Sequence, residues 1–254
     1  MDAVLVNTRT PANIRAEKTH WVLANLRSTN YTQFGVWRQR DYQNATRSSG
    51  ETNRDRENDD KHDGPGMFAY SQLKPAIVLN LDDPAYTPGG SASYYGETVA
   101  VQNTTWLTGR LQVDVTWMAE TVEGTVNVTL SDLANGNGDM LAHSGTASNP
   151  GNAIRDIVLH GVTVSAEEVH SNELRFHTDD ASVRYRHVDP NVTDASVSEQ
   201  MLKGVFVGQG VDGPLGVIGV WSLDDGNVGR RNAAGTKVVD ATNVIYGAFG
   251  AELP

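Results

Sequence analysis

From Gly109 to Leu130 the chain alternates apolar and polar residues with a period of two. Leu111, Val113, Val115 and Trp117 share one face of the first run, Gly109–Met118. In the second run, Val122–Leu130, Val122, Val126, Val128 and Leu130 take one face and Glu123, Thr125, Asn127 and Thr129 the other. Successive side chains point to opposite sides only in extended backbone, so the two runs, joined by Ala119-Glu120-Thr121, predict an antiparallel hairpin with one buried face. Similar short runs recur at Tyr94–Val101, Arg155–Val162, Glu173–His177, Val183–Val188, Val205–Gly208, Val217–Leu223 and Val244–Phe249. Val113, Val115, Trp117, Val126, Val128, Phe206, Trp221 and Phe249 are the expected inward core.

Within KGVFVGQGVDGPLGVIGVWSL, residues 203–223, glycines fall among aliphatic and aromatic residues at 204, 208, 210, 213, 216 and 219. Glycine weakens a strand interior, so its repeated use marks bends, bulges or close backbone approach. Many short alternating strands with Gly-rich turns predict an all-β fold. A small barrel accounts for the glycines better than a sandwich, because closure demands strong coiling. The expected architecture is an antiparallel up-and-down β-barrel of about eight strands over residues 91–254.

Residues 1–90 differ in kind. Thr10–Arg27 has Pro11 near a helix start and apolar residues at spacings of three to four, which predicts one short amphipathic helix. Phe34-Gly35-Val36-Trp37-Arg38 reads as a strand. Asp41–Gly66 contains SSGETNRDRENDDKHDGPG, with no apolar residue, and predicts a long solvated loop. Together these make a smaller segment, of helix, strand and polar loop, that packs on the barrel.

Composition narrows the function classes. The 254 residues carry a formal net charge of −11, which opposes a nucleic-acid partner, since such proteins present cations to phosphates. Cysteine is absent, excluding disulfides, thiolate metal sites and a cysteine nucleophile. No apolar run reaches the roughly 18 residues of a spanning helix, and Met1-Asp2-Ala3-Val4 lacks the character of a signal peptide.

Catalytic motifs are missing as well: there is no Gly-x-Ser-x-Gly elbow, no phosphate-binding Gly-rich loop with Lys-Ser/Thr, and no His-Glu-x-x-His. Asp55–Gly66 superficially resembles a calcium loop, but Asp60 stands at its sixth position and Gly66 at its twelfth, where that loop needs Gly and Glu. Asn135-Gly136-Asn137-Gly138-Asp139 reads as a turn. The seven histidines show no helical i, i+4 pair. These features point away from an enzyme and give no metal site or resident cofactor.

One cationic cluster stands out. A hairpin turning at Asp180-Ala181 would set Phe176 opposite Tyr185 and His177 opposite Arg184. Arg175, His177, Arg184 and Arg186 then share one face, with Leu174, Phe176, Val183, Tyr185 and His187 on the other. Such a stripe could receive an anionic group through charge-assisted hydrogen bonds. The competing expectation is that Arg175 and Arg184 simply pair with nearby acids on the exterior.

Tyr94-Tyr95-Gly96-Glu97-Thr98, Val122-Glu123-Gly124-Thr125-Val126, Gly204-Val205-Phe206-Val207-Gly208, Gly219-Val220-Trp221 and Tyr246-Gly247-Ala248-Phe249-Gly250-Ala251 follow one another in an order that resembles the β-barrel module of the bacterial transferrin-binding-protein B-like surface lipoproteins. The likeness covers about Ser91 to Leu253, and Phe34-Gly35-Val36-Trp37 resembles a segment that often precedes that module. The lipid-bearing cysteine of the family has no counterpart here. The resemblance implies a non-enzymatic, monomeric binding protein at the bacterial surface or secreted, its leader absent from this chain. It would acquire a host protein or an iron-bearing ligand such as haem. A structural or adhesive display domain without a small-molecule ligand is the alternative.

Overall fold

The computed structural model describes residues 4–7, 19–41, 65–77, 90–102, 105–117, 123–143, 152–167, 173–191, 195–210, 213–224, 228–230 and 244–254. The Phe34–Arg38 pentad lies in a strand of an N-terminal antiparallel sheet. Its strands are β1 (Val4–Asn7), β2 (Thr19–Ser28), β3 (Thr32–Asp41) and β4 (Pro65–Ser71), in spatial order β1-β4-β3-β2. Thr19–Ser28 is therefore extended, correcting the expected helix over Thr10–Arg27, whose first nine residues lie outside the described ones. Its apolar spacing fits either state; pairing along β3 from Thr19↔Asp41 to Ser28↔Gln33, with one bulge between Ala24 and Leu26, decided it. The Thr29 amide donates to Thr32 O at 2.9 Å and closes the turn between the two strands. Most of the polar Asp41–Gly66 stretch, including the calcium-like Asp55–Gly64, lies outside the described residues.

The remaining strands are β5 (Ser91–Gln102), β6 (Thr105–Trp117), β7 (Gly124–Ala134), β8 (Leu141–His143), β9 (Asn152–Glu167), β10 (Glu173–His187), β11 (Ala195–Val207), β12 (Gly216–Asp224), β13 (Val228–Arg230) and β14 (Val244–Glu252). Eight of them pair in the cycle β5-β6-β7-β9-β10-β11-β12-β14, and β14 pairs back onto β5. All of these pairings are antiparallel, giving a closed up-and-down barrel. Short β8 and β13 extend outward from the start of β9. Asn135–Asp139 is the expected turn, its Asn135 Oδ1 accepting the amides of Asn137 and Asp139, both at 2.9 Å.

Alternation sorts the barrel's two sides. Val113, Val115, Trp117, Val126, Val128, Phe206, Trp221 and Phe249 all lie in the interior core, as expected. Tyr94, Trp117 and Phe176 surround Phe206 with ring centroids 5.5, 5.7 and 5.8 Å away, so side chains fill the lumen. An apolar inside and a polar outside reverse the pattern of a membrane-spanning barrel. Where β5, β11, β12 and β14 turn outward, a second core forms: Phe34, Val36, Met67 and Ala69 of the sheet cover Val99, Val101, Val205, Val207, Ile218, Val220 and Ala248. β12 and β14 are thus buried on both faces, which is why they read as nearly unbroken apolar runs.

The glycines serve two purposes. Gly208, with φ of 73°, sits at a bend past the end of β11. Gly204 and Gly219 instead lie beneath aromatic rings. Gly204 faces Phe176 across β10 and β11, and Gly219 faces Phe249 across β12 and β14. A Cβ on either would come within 2.2 Å of Phe176 or 2.3 Å of Phe249. Their role is close approach of ring to backbone, in addition to the expected bending.

The segment joining sheet to barrel belongs to both. Ala76 donates to Phe206 O at 2.7 Å and accepts from the Leu174 amide at 2.8 Å, so Lys74–Ile77 inserts between the ends of β10 and β11. At the other attachment Glu252 of β14 clasps the β2–β3 turn. Its carboxylate accepts from the Thr29 hydroxyl, from Asn30 Nδ2 at 2.9 Å and from the Tyr31 amide at 3.0 Å. Glu252→Ala is expected to cost about 1–2 kcal/mol, since the released donors regain water. Limited proteolysis should then begin in the N-terminal sheet; unchanged cleavage and melting would show that the clasp contributes nothing.

Candidate functional site

The barrel face left bare by the N-terminal sheet carries a polar groove of about 480 Å³ across β6, β7, β9 and β10. Strand register assembles it. One row runs Gln112–Thr129–Val158–Arg184, each residue directly opposite the next. A second runs Ser131–Asp156–Arg186. Asp114 and Asn127 face one another in a third row, toward the His160 side. Side-chain length gives the depth: Asn127, Thr129, Ser131 and Val158 are short, while Arg184 and Arg186 rise on one side and Gln112 and Asp114 on the other.

Most charges here are already engaged. Asp114 accepts from Ser93 Oγ at 2.6 Å and from Gln112 Nε2 at 2.9 Å. Asp156, mostly buried, accepts from Arg155 Nε at 3.0 Å, and Arg186 Nη1 lies 4.0 Å away. Arg110, opposite Ser131 at the edge, is held by Asp132, which adopts φ of 54° at the β7 bulge. Among the described residues, Arg184 has no hydrogen-bond or ion-pair partner. Its guanidinium can accept a new anion without breaking an existing bond.

The predicted cationic stripe is thus divided. Residues 173–187 form one continuous strand, not a hairpin turning at Asp180-Ala181. Phe176 lies opposite Gly204 rather than Tyr185, and Tyr185 lies opposite Ala195 and Ile157. A register shift between Thr178 and Ala181 changes the parity of the strand, so Arg175, His177, Arg184 and Arg186 all still turn outward while Leu174, Phe176, Val183, Tyr185 and His187 turn in. The hairpin failed because both halves found separate partners in β9 and β11. Seven residue rises along the strand separate His177 from Arg184, roughly 23 Å at the usual strand rise. Arg175 is tied to Glu173, its Nε donating at 2.7 Å, as the competing expectation held for that residue. Arg184 and Arg186 remain in the groove; Arg175 and His177 do not.

Sequence reading placed Asn127 and Thr129 outward but could not join them to Arg184. Gln112, Asp114, Ser131, Asp156 and His160 were missed, because their meeting depends on register among strands remote in sequence. Outward parity on each strand was the available signal. No three His, Asp or Glu side chains converge on a metal position among the described residues. Nor does any helix there have the length and apolarity to cross a membrane. Comparison with family models and with curated protein sequences finds no match to this chain.

Proposed function

We propose that this protein is a non-enzymatic binding module of the bacterial surface or secreted space, receiving an acidic group of a host protein or small ligand on its outward groove. The observation that carries this reading is Arg184, exposed and with no side-chain partner among the described residues, beside a floor of the short side chains Asn127, Thr129, Ser131 and Val158. A free guanidinium gains charge-assisted bonds to a carboxylate at no cost in existing ones. The filled lumen directs any ligand, haem included, to the outside or the loops. Binding rather than catalysis is favoured because the groove's carboxylates are engaged: Asp114 by Gln112 and Ser93, Asp156 by Arg155. The surface location and the role in acquiring host protein or iron follow from the motif order that resembles the transferrin-binding-protein B-like barrels.

Arg184→Glu is the clean test, because reversing Arg186 would also set a carboxylate against buried Asp156. Capture of a serum partner should weaken by about tenfold or more. Capture by the unaltered protein should also fall steeply with salt, as expected for exposed electrostatics. Melting should stay within the equivalent of about 0.5 kcal/mol, as for other exposed substitutions. Affinity indifferent to both the substitution and the salt would place recognition elsewhere.

A further inference from the structure

We infer that the barrel wall around Tyr95 is a second interaction surface, docking a segment of a partner protein that presents arginine or lysine. It lies apart from Arg184 and does not depend on the groove reading. Tyr31, Tyr95 and Val188 are the large apolar side chains left exposed among the described residues, and both tyrosines adjoin Glu252. Glu252 of β14 stands directly opposite Tyr95 in the ladder, and its carboxylate accepts from the Tyr31 amide at 3.0 Å. On the other side of β5, Tyr95 lies opposite Gln112 and its neighbour Ser93 lies opposite Asp114. Each flanking strand runs roughly 5 Å from β5.

Charge decides which partner fits. Elsewhere on the exterior Glu97, Asp132, Asp156 and Glu173 each pair with an arginine. Asp114 and Glu252 do not. Asp114 is held by the Ser93 hydroxyl at 2.6 Å and, through its two oxygens, by Gln112 Nε2 at 2.9 and 3.0 Å. Glu252 is held by the Thr29 hydroxyl, Asn30 Nδ2 and the Tyr31 amide. Every one of these donors is neutral, so both carboxylates are fixed in place with their charge uncompensated. Asp114 Oδ2 and Glu252 Oε2 each accept a single bond and retain acceptor capacity. A cationic side chain laid over Tyr95 gains the ring face and a carboxylate on either side. An anion would meet two charges of its own sign. Rings this exposed leave a small free cation in water, so the fitting occupant is a protein segment, whose stem and backbone also cover the apolar faces. Tyrosine is among the residues that anchor such interfaces, and here both stand on fixed backbone: Tyr95 in a strand paired on both sides, Tyr31 in the turn that Glu252 clasps.

Titration of the full chain with acetyl-Gly-Arg-Gly-Arg-Gly-amide and with its citrulline counterpart isolates the charge, since citrulline keeps the length and planarity of arginine. The arginine peptide should bind about tenfold more tightly, from charge-assisted contacts that the neutral peptide cannot make. Asp114→Asn keeps an acceptor for Ser93 and Gln112 and should cut that preference about threefold, the scale of an exposed ion pair. Tyr95→Leu should cut it by about the same factor, the scale of an exposed cation–π contact. Both variants should keep the melting temperature of the parent. Any basic peptide is drawn to a chain of net charge −11, so Asp189→Asn serves as the control, removing one unit of charge from the exposed turn after β10. A loss in Asp189→Asn equal to that in Asp114→Asn would reveal general attraction to an acidic chain and overturn the site. So would equal binding of the two peptides, no saturation by the arginine peptide, or a preference that survives Asp114→Asn combined with Tyr95→Leu.

Discussion

Phe206→Ala is expected to remove about 3–5 kcal/mol of stability, the cost of deleting a fully buried aromatic side chain that its neighbours cannot collapse to replace. Phe206 is wholly buried, and Tyr94, Trp117 and Phe176 pack their rings around it from β5, β6 and β10. Those strands are fixed by ladder pairing on both sides, so the void can close only if the barrel itself distorts. Chemical denaturation should show a lower midpoint with nearly unchanged slope, the mark of lost stability without a change in exposed surface. Because Ala76 bonds to the Phe206 carbonyl through the backbone, the inserted Lys74–Ile77 segment should stay in place. A loss below about 1 kcal/mol, far short of the range for buried aromatics, would mean that the lumen is not the packed core described.

Gly219→Val should be comparably severe, and for a different reason. A Cβ at Gly219 meets the Phe249 ring at 2.3 Å and the Lys203 carbonyl oxygen at 2.5 Å. The ring can turn aside, but the carbonyl belongs to the β11–β12 ladder and cannot. The cost is expected to reach or exceed the upper end of the 1–3 kcal/mol range, about what overpacked sites usually show. Gly247 supplies the contrast, since there the three nearest atoms all belong to the Trp221 indole, at 2.2–2.5 Å. Gly247→Ala should therefore be partly rescued by Trp221→Leu, with a favourable coupling of about 1 kcal/mol or more in a double-mutant cycle. Gly219→Ala combined with Phe249→Leu should show much less. Equal coupling in the two cycles would refute the distinction between ring and backbone obstruction.

Much of the barrel was legible because a strand's period is a local property. Val113, Val115 and Trp117 alternate with polar neighbours, and only one assignment of faces buries them. The same logic put Arg184 and Arg186 outside and Val183 and Tyr185 inside. It carried less information in β12 and β14, where Ile218, Val220 and Ala248 lie under the N-terminal sheet and erase the alternation. It misled over Thr19–Arg27, where apolar spacing suits a helix until a neighbouring strand supplies hydrogen-bond partners.

What the sequence determined by itself was the location of most barrel strands, the inward residues and the all-β barrel class, all consequences of residue-to-residue alternation and turn chemistry. Tertiary structure alone decided that residues 173–187 run as one bulged strand, that glycines lie under Phe176, Phe249 and Trp221, and that Gln112, Thr129, Val158 and Arg184 form one row. Each of these depends on register between segments far apart in the chain. Register is set by the closure of the whole ladder and the fit of side chains across it, and no local pattern encodes that.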